Sequence, residues 1–504
     1  KEEVAAAGGK LFDDRESLLS SKFSSSDTRL YDELKKLFHI MSEGDSDLNV
    51  PFYNGGLFIT DPAPDDNSAE ARNARFLRDN KIPDLFLALG LDLMTRDIDD
   101  KTHDLVFIDY KSLGVRHLGS IYEGLLEFKL RIAPEKMAIV KGKKTEEVIP
   151  YKEAVKSKIK ILVAGRGANA VERVYEKGSV YLENDKRERK ATGSYYTPDY
   201  IVKYIVENTV GPVLKEKFEK ISPQIREAQK AYKEAVKRNL AFKKVGGAGD
   251  DPEKVAVKYQ NVVDALFDVK TLDPAMGSGH FLVEAVDFIT CRMIDFLNAF
   301  PWNPVKARLR ETRETILREM EKQKVTIDPA KLTDVNLMKR HVLKRCVYGV
   351  DLNPMAVELA KVSLWLDCFT LGAPLSFLDH HLKCGNSLIG AKVDEVHKKL
   401  ESGQRTLFGS RFAGLMLATD LMRRVGELSD VTATQVKESR SKYREATDKL
   451  LPYKRILDVY ASQWFGNEPR KSGKGKTARE TNPALEFLQT DEAGAWLENP
   501  ASIK

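Results

Sequence analysis

Between an apolar run, Val269 to Leu272, and a helically spaced apolar set (Phe281, Leu282, Ala285, Phe288, Ile289) stands the segment Asp273-Pro-Ala-Met-Gly-Ser-Gly279. That order reads as strand, glycine turn, helix. Glycine belongs at such a turn where φ is positive or a ligand must approach the backbone. Three ligand classes use turns of this kind. A phosphate-cradling GxxxxGK[ST] loop needs Lys after its last glycine, where His280 stands. A dinucleotide fingerprint needs a third Gly or Ala, and Leu282 occupies that place. Asp273 at the strand end would repel a pyrophosphate and attract an ammonium or sulfonium. S-adenosylmethionine (SAM) carries both cations, so the charge favours that methyl donor over NAD or ATP.

Three further segments could complete a nucleoside site. Cys346 to Asp351 reads as a strand, with Asn353 as N-cap and Pro354 at the first helical position. An acid ending the second strand is placed to accept ribose hydroxyls, although 78 residues separate Asp351 from Asp273, against about 20 in a dinucleotide fold. Leu382-Lys-Cys-Gly-Asn-Ser-Leu-Ile-Gly390 puts Asn386 at a third strand end, where its amide could meet an adenine. Upstream, Thr197 caps and Pro198 opens a helix with Val202, Ile205, Val206 and Thr209 on one face, stopped by Gly211-Pro212. Its free amino-terminal N–H groups suit a carboxylate.

The elements that must position these residues fall into three parts. Residues 1–190 mix helical and strand-like patterns: Leu118 to Leu130 reads as an amphipathic helix, with Phe128 on its apolar side, and Ile159 to Gly165 as a short strand. The charge run Lys186 to Lys190 reads as a linker. Residues 191–390 alternate helix and strand signals, the pattern of a parallel α/β sheet, with helical insertions near 214–266 and 300–345. Residues 391–504 hold a long charged helix, about Ser429 to Leu451, ended by Pro452. There is no internal repeat.

Composition sets the outer limits. The 504 residues are 42% hydrophobic and 31% charged, enough for large cores. The net charge of +6 and pI near 8.7 permit a polyanionic partner without demanding one. Ten Lys/Arg against four Asp/Glu between Leu214 and Lys244 mark a basic block, and Val305 to Arg345 is a second. Either could line a DNA groove or be a solvated helix face. Mean hydropathy is −0.38 and no apolar run approaches the roughly 20 residues of a membrane helix. Four scattered cysteines without a CxxC pair point to a reducing cytoplasm. A chain that begins at Lys1 is expected to be part of a longer protein.

The four segments together resemble a known family. GSYYTPDYIVKYIV, LDPAMGSGHFLV, YGVDLNPMAVELAK and CGNSLIG are similar, in order, to motifs X, I, II and III of gamma-class N6-adenine DNA methyltransferases. The nearest likeness is to the large methylases of type IIG restriction-modification and of BREX or DISARM phage defence. YNGGLF (Tyr53 to Phe58) and LGSIYEGLLE resemble the helical amino-terminal region of those proteins, so the likeness spans most of 50–390. It implies a mostly helical amino-terminal domain, then the first half of a Rossmann-like SAM-dependent methyltransferase sheet with helical insertions. By family precedent Thr197, Asp273, Ala275, Gly277 and Gly279 face the methionine end of SAM, Asp351 the ribose, and Asn386 the adenine, with Leu352 and Ser387 beside the ring. Double-stranded DNA, and other defence or restriction subunits, are the implied partners.

One departure matters. The family's catalytic Asn/Asp-Pro-Pro-aromatic tetrapeptide is absent, since no Pro-Pro pair occurs in the sequence. Asn482-Pro-Ala and Asn499-Pro-Ala lack the second proline and the aromatic. Adenine N6 is a poor nucleophile because its lone pair is delocalised into the ring, so the missing groups are those that accept its protons and stack on the flipped base. No catalytic residue is therefore assigned, and residues 391–504 read as an insertion or linker preceding that motif. The rivals are a SAM- and DNA-binding scaffold or sensor without methylation activity, and a methyltransferase acting on RNA or a protein amide. Asp109-Tyr-Lys111 and Glu127-Phe-Lys129 only mimic a nuclease acid-x-Lys pair, and Gly473-Lys-Gly-Lys-Thr477 follows Arg470 where a P-loop needs glycine. His380, His381 and Cys384 lack a fourth metal ligand, so no metal is assigned.

Overall fold

The residues between 197 and 392 are built around three parallel strands in the computed structural model: β1 (Thr271–Asp273), β2 (Val347–Asp351) and β3 (Leu382–Cys384), in the spatial order β1-β2-β3. Thr271 pairs with Val347, Asp273 with Gly349, Gly349 with Leu382 and Asp351 with Cys384. Parallel pairing brings all three carboxyl ends to one edge. The structure describes residues 19, 21–53, 58–64, 66, 69–99, 102, 104–110, 117, 119, 128–141, 146–164, 171–184, 197–244, 252–392, 396, 413–472, 479–488 and 490–498.

Helices pack about this sheet: α1 (Asp199–Lys244), α2 (Gln260–Phe267), α3 (His280–Asn298), α4 (Pro304–Lys322), α5 (Asp334–Arg345) and α6 (Pro354–Asp367). Local signals start several of them. Asn303 Oδ1 accepts from the Lys306 amide at 2.9 Å ahead of Pro304, Thr333 Oγ1 from that of Asn336 at 3.2 Å, and Asn353 Oδ1 from that of Met355 at 2.9 Å ahead of Pro354. One apolar core joins them, with Leu214, Ile225, Leu266, Leu282, Ile289, Ile316, Leu337, Val347 and Leu364 fully enclosed.

Two prolines expected to end helices do not. α1 runs through Pro212 and Pro223 for 46 residues. Each interior proline costs about 3 kcal/mol. Val202, Val206, Val210, Leu214, Ile221 and Ile225 are buried along α1, at roughly 1.5–3 kcal/mol each. Tertiary burial wins. It also moves the buried face: Ile205 is exposed and Thr209 bonds back to the Ile205 carbonyl, while Val210 and Leu214 continue the stripe. Pro452 likewise lies inside a helix, because it and the following Tyr453, Ile456 and Tyr460 are buried.

Amino-terminal to this body, three helices (Arg29–Glu43, Ala69–Asp79, Asp84–Thr95) give way to short antiparallel strands between Arg96 and Asn184. Among the described residues a further short helix, Tyr151–Lys156, lies between these strands. Phe128–Ile132 is a strand paired with Val180–Asn184, so the helix expected to reach Leu130 does not include Phe128. Alternation at Phe128, Leu130 and Ile132 serves a strand as well as a helix; of the rest of that helix only Gly119 is among the described residues, and it is helical. Val163–Ala164 is a strand as expected. The linker at 186–190 and the loop at 473–477 also lie outside the described residues, as do 54–57 of YNGGLF. Its neighbours Phe52 and Tyr53 are buried against the body, where Asn49 exchanges two hydrogen bonds with the backbone of Thr326.

Carboxy-terminal to the sheet, α7 (Ala413–Glu427) and α8 (Ala433–Ala461) form an antiparallel pair. Asp430 between them is fully buried and binds Lys344 of α5. The whole is a mixed α/β protein with a mostly helical body and small, partly parallel sheets. No helix among the described residues is long and apolar enough to cross a membrane.

Candidate functional site

The carboxyl edge of β1-β2-β3 collects the residues singled out by sequence. Asp273 ends β1, Asp351 ends β2, and Asn386 stands two residues beyond β3. The turn from β1 into α3 is shaped by its glycines. Gly279 has φ +84°, and a Cβ there would meet Ala360 Cβ of α6 at 3.1 Å. It is glycine because α3 begins hard against α6. Gly277 has φ +52° but nothing within 4 Å of a Cβ, so its outward side faces open space.

The acids play two different parts. Asp351 Oδ2 accepts the Gly277 N–H at 2.9 Å and Oδ1 accepts the Asn353 N–H at 2.8 Å. The second strand therefore clasps the glycine turn, helped by the Met276 N–H to the Val350 carbonyl at 3.0 Å. Asp273 Oδ1 accepts the Ala275 N–H at 3.0 Å, whereas its Oδ2 is buried with no hydrogen-bond partner. Burial raises the Asp273 pKa, the Ala275 bond opposes, and the nearby charge of Asp351 raises it further. An ionised carboxylate with an unsatisfied buried oxygen is costly unless a cation or donor meets it. Chemically, the edge is fit to hold a positively charged group.

The remaining residues line the rim. Leu352 is 54% exposed despite its size, and Ser387 and Ala275 are exposed. Asn386 Oδ1 accepts the Leu388 N–H at 2.9 Å, fixing the loop after β3. Thr197 lies half-buried two residues before α1. The helix itself starts from the Pro198 carbonyl, which accepts from Ile201 and Val202. Asp199 at the head of α1 meets His280 at the head of α3, Oδ1 to Nε2 3.2 Å. Sequence reading missed that contact and the Asp351 clasp. An acid 81 positions from a histidine leaves no local signal; the strand-end position of Asp351 could have pointed to the clasp.

Elsewhere, Asn482 is a helix cap, its Oδ1 accepting from Leu485 at 3.2 Å. His380 and His381 are buried, and burial pushes the imidazole of His381 down to about 3. Among the described residues no cluster of His, Cys, Asp or Glu is placed to hold a metal ion.

The chain is similar to a protein of Methanocaldococcus jannaschii provisionally named a type II restriction enzyme and methyltransferase. They are 29% identical over 369 residues, 64% of this chain and 27% of that protein. The chain thus spans about a quarter of that relative's length. No family model and no solved structure matches the chain.

Proposed function

We propose that residues 191–390 form the SAM-binding core of a DNA adenine-N6 methyltransferase of a restriction-modification or phage-defence system, its three parallel strands being half of a Rossmann-like sheet. The observation that carries this is the buried, unpartnered Oδ2 of Asp273 beside an open glycine turn. The distant relative, with a restriction and methyltransferase name, supports the class. The residues fit SAM. Asp273 holds the ammonium end, and the amino terminus of α1 near Thr197 takes the carboxylate. Ala275, Gly277 and Gly279 let the ligand lie against backbone. Asp351, with one amide on each oxygen, keeps lone pairs for ribose hydroxyls. Leu352 covers one face of the adenine, Ser387 flanks it, and Asn386, its Oδ1 already engaged, offers Nδ2 donors.

When bound, SAM supplies the electrophilic methyl group. The target adenine would leave the duplex to reach it. None of the present residues accepts the protons of its amine, because the Asn/Asp-Pro-Pro-aromatic pattern does not occur in the sequence. A subunit that binds SAM and DNA without methylating is the second reading. Calorimetry with SAM, S-adenosylhomocysteine, NAD and ATP tests the cofactor reading: micromolar binding of the first two and none of the others is expected, and preference for ATP or NAD overturns it. Transfer of labelled methyl from SAM to duplex DNA, against RNA and protein, separates enzyme from scaffold and names the substrate.

A further inference from the structure

α1 and α3 lie side by side, and polar and charged side chains on their facing rims meet at successive levels. Asp199 meets His280 at 3.2 Å. One turn along, Lys203 acts on Glu284, whose carboxyl is raised by burial and lowered by that lysine. Further along, Glu207 meets Arg292 at 3.5 Å. Beneath these pairs Val202, Val206 and Val210 of α1 and Val283, Val286 and Ile289 of α3 are buried in the same core. Acid, base and acid alternate along α1, and a histidine, an acid and an arginine face them on α3. Asp199 already acts unfavourably on Glu284; a slip of one turn would bring the two closer and set Lys203 in place of Glu207 against Arg292, so the charges favour the observed register.

The Asp199 and His280 pair is special among the three because both residues are the first of their helices. It brings the amino termini of the two helices together beside the glycine turn that ends at Gly279. His280 is 17% exposed at its side chain, half-shielded by the helix it binds.

We propose that His280 is a positioning residue for the cofactor: through Asp199 it seats the amino terminus of α1 beside the glycine turn, so that the carboxylate end of the methyl donor is met by both helices. This rests on the SAM reading above. Glutamine can place an Nε2 donor near the imidazole Nε2, and alanine cannot.

The test uses the 504-residue chain with His280→Ala, His280→Gln, Asp199→Ala and the double alanine variant, titrated with S-adenosylhomocysteine by calorimetry. His280→Ala and Asp199→Ala are each expected to weaken binding about tenfold, the double variant no more than either alone, and His280→Gln to restore affinity to within about threefold. In parallel, amide exchange over Tyr200–Val206 without ligand should quicken in the alanine variants and not in His280→Gln. Unchanged affinity in His280→Ala, losses that add, or no rescue by glutamine would overturn the proposal. If the unaltered chain binds no S-adenosylhomocysteine, the cofactor reading fails; quickened exchange with glutamine rescue would then leave only the seating of α1 standing, and unchanged exchange would remove that too.

Discussion

Replacing Asp430 by alanine should cost about 3–5 kcal/mol of stability at neutral pH, the range for breaking a buried ion pair by removing one partner. The carboxylate has no exposed surface. Its Oδ2 takes the Lys344 ammonium and the Phe377 N–H at 3.0 Å, and its Oδ1 takes the Ser439 hydroxyl at 2.6 Å. Removing it strands three donors, one a buried cation. Asp430 also sits at φ +52°, where aspartate is tolerated and alanine is strained by about 1–2 kcal/mol. Burial lowers the Lys344 pKa, and losing Asp430 removes the main opposing influence. In the variant, between that depressed value and the ordinary one of about 10.4, the unfolded chain binds the extra proton, so stability rises with pH. The deficit should therefore be largest near pH 7 and shrink towards pH 9.5. Urea unfolding, followed by circular dichroism and by amide exchange in α5 and α8, measures both. The swap Asp430→Asn with Lys344→Met, which keeps polarity at φ +52° and removes the cation, should recover part of the loss. A deficit below about 1 kcal/mol, or one that grows with pH, would refute the account.

Asp273→Asn should weaken SAM binding at least tenfold, about 1.4 kcal/mol, by calorimetry; equal affinity would remove Asp273 from the site. In the unaltered chain SAM affinity should fall on acidification before the ordinary carboxylate range is reached, because protonation of Asp273 discharges the group that meets the cation; a profile flat from neutral pH into the ordinary carboxylate range contradicts this. Without ligand the sign reverses: a carboxyl raised on folding stabilises at low pH, and that contribution is lost as pH rises through the raised value. Gly279→Ala should destabilise by about 1–3 kcal/mol through its positive φ and the contact with Ala360; adding Ala360→Gly should return only the contact part in thermal melts. Pro212→Ala should stabilise α1 by up to about 3 kcal/mol in urea unfolding, and destabilisation there would mean that the proline ring packs as part of the fold.

The residues gathered at the carboxyl edge of the sheet were legible because they sit at strand ends, where local pattern and position coincide. Asp273, Asp351 and Asn386 each follow a short apolar run and precede a turn or cap, and parallel pairing brings such ends together. Helix ends were less legible. Gly211-Pro212 and Pro452 are strong local breakers, overruled by apolar side chains whose burial depends on partners distant in sequence. Phe128 shows a related limit: a few apolar residues fit either period, and pairing with residues fifty positions on decides. Contacts such as Asp199 with His280, or Lys344 with Asp430, had no trace in one dimension, because each joins residues that only tertiary packing brings together.

The wide separation of β1, β2 and β3 along the chain has a kinetic consequence. Seventy-three residues lie between Asp273 and Val347, most of them in α3, α4 and α5, which must form and dock before the first two strands can align. Closing such long loops is entropically costly early in folding, and parallel pairing gives no hairpin to nucleate on. On the ribosome, a nascent chain would carry docked helices well before Leu382 emerged to supply the third strand. The carboxyl edge of the sheet, the site proposed for SAM, would then be a late product of folding, and a ligand bound there would slow reopening more than it speeds collapse.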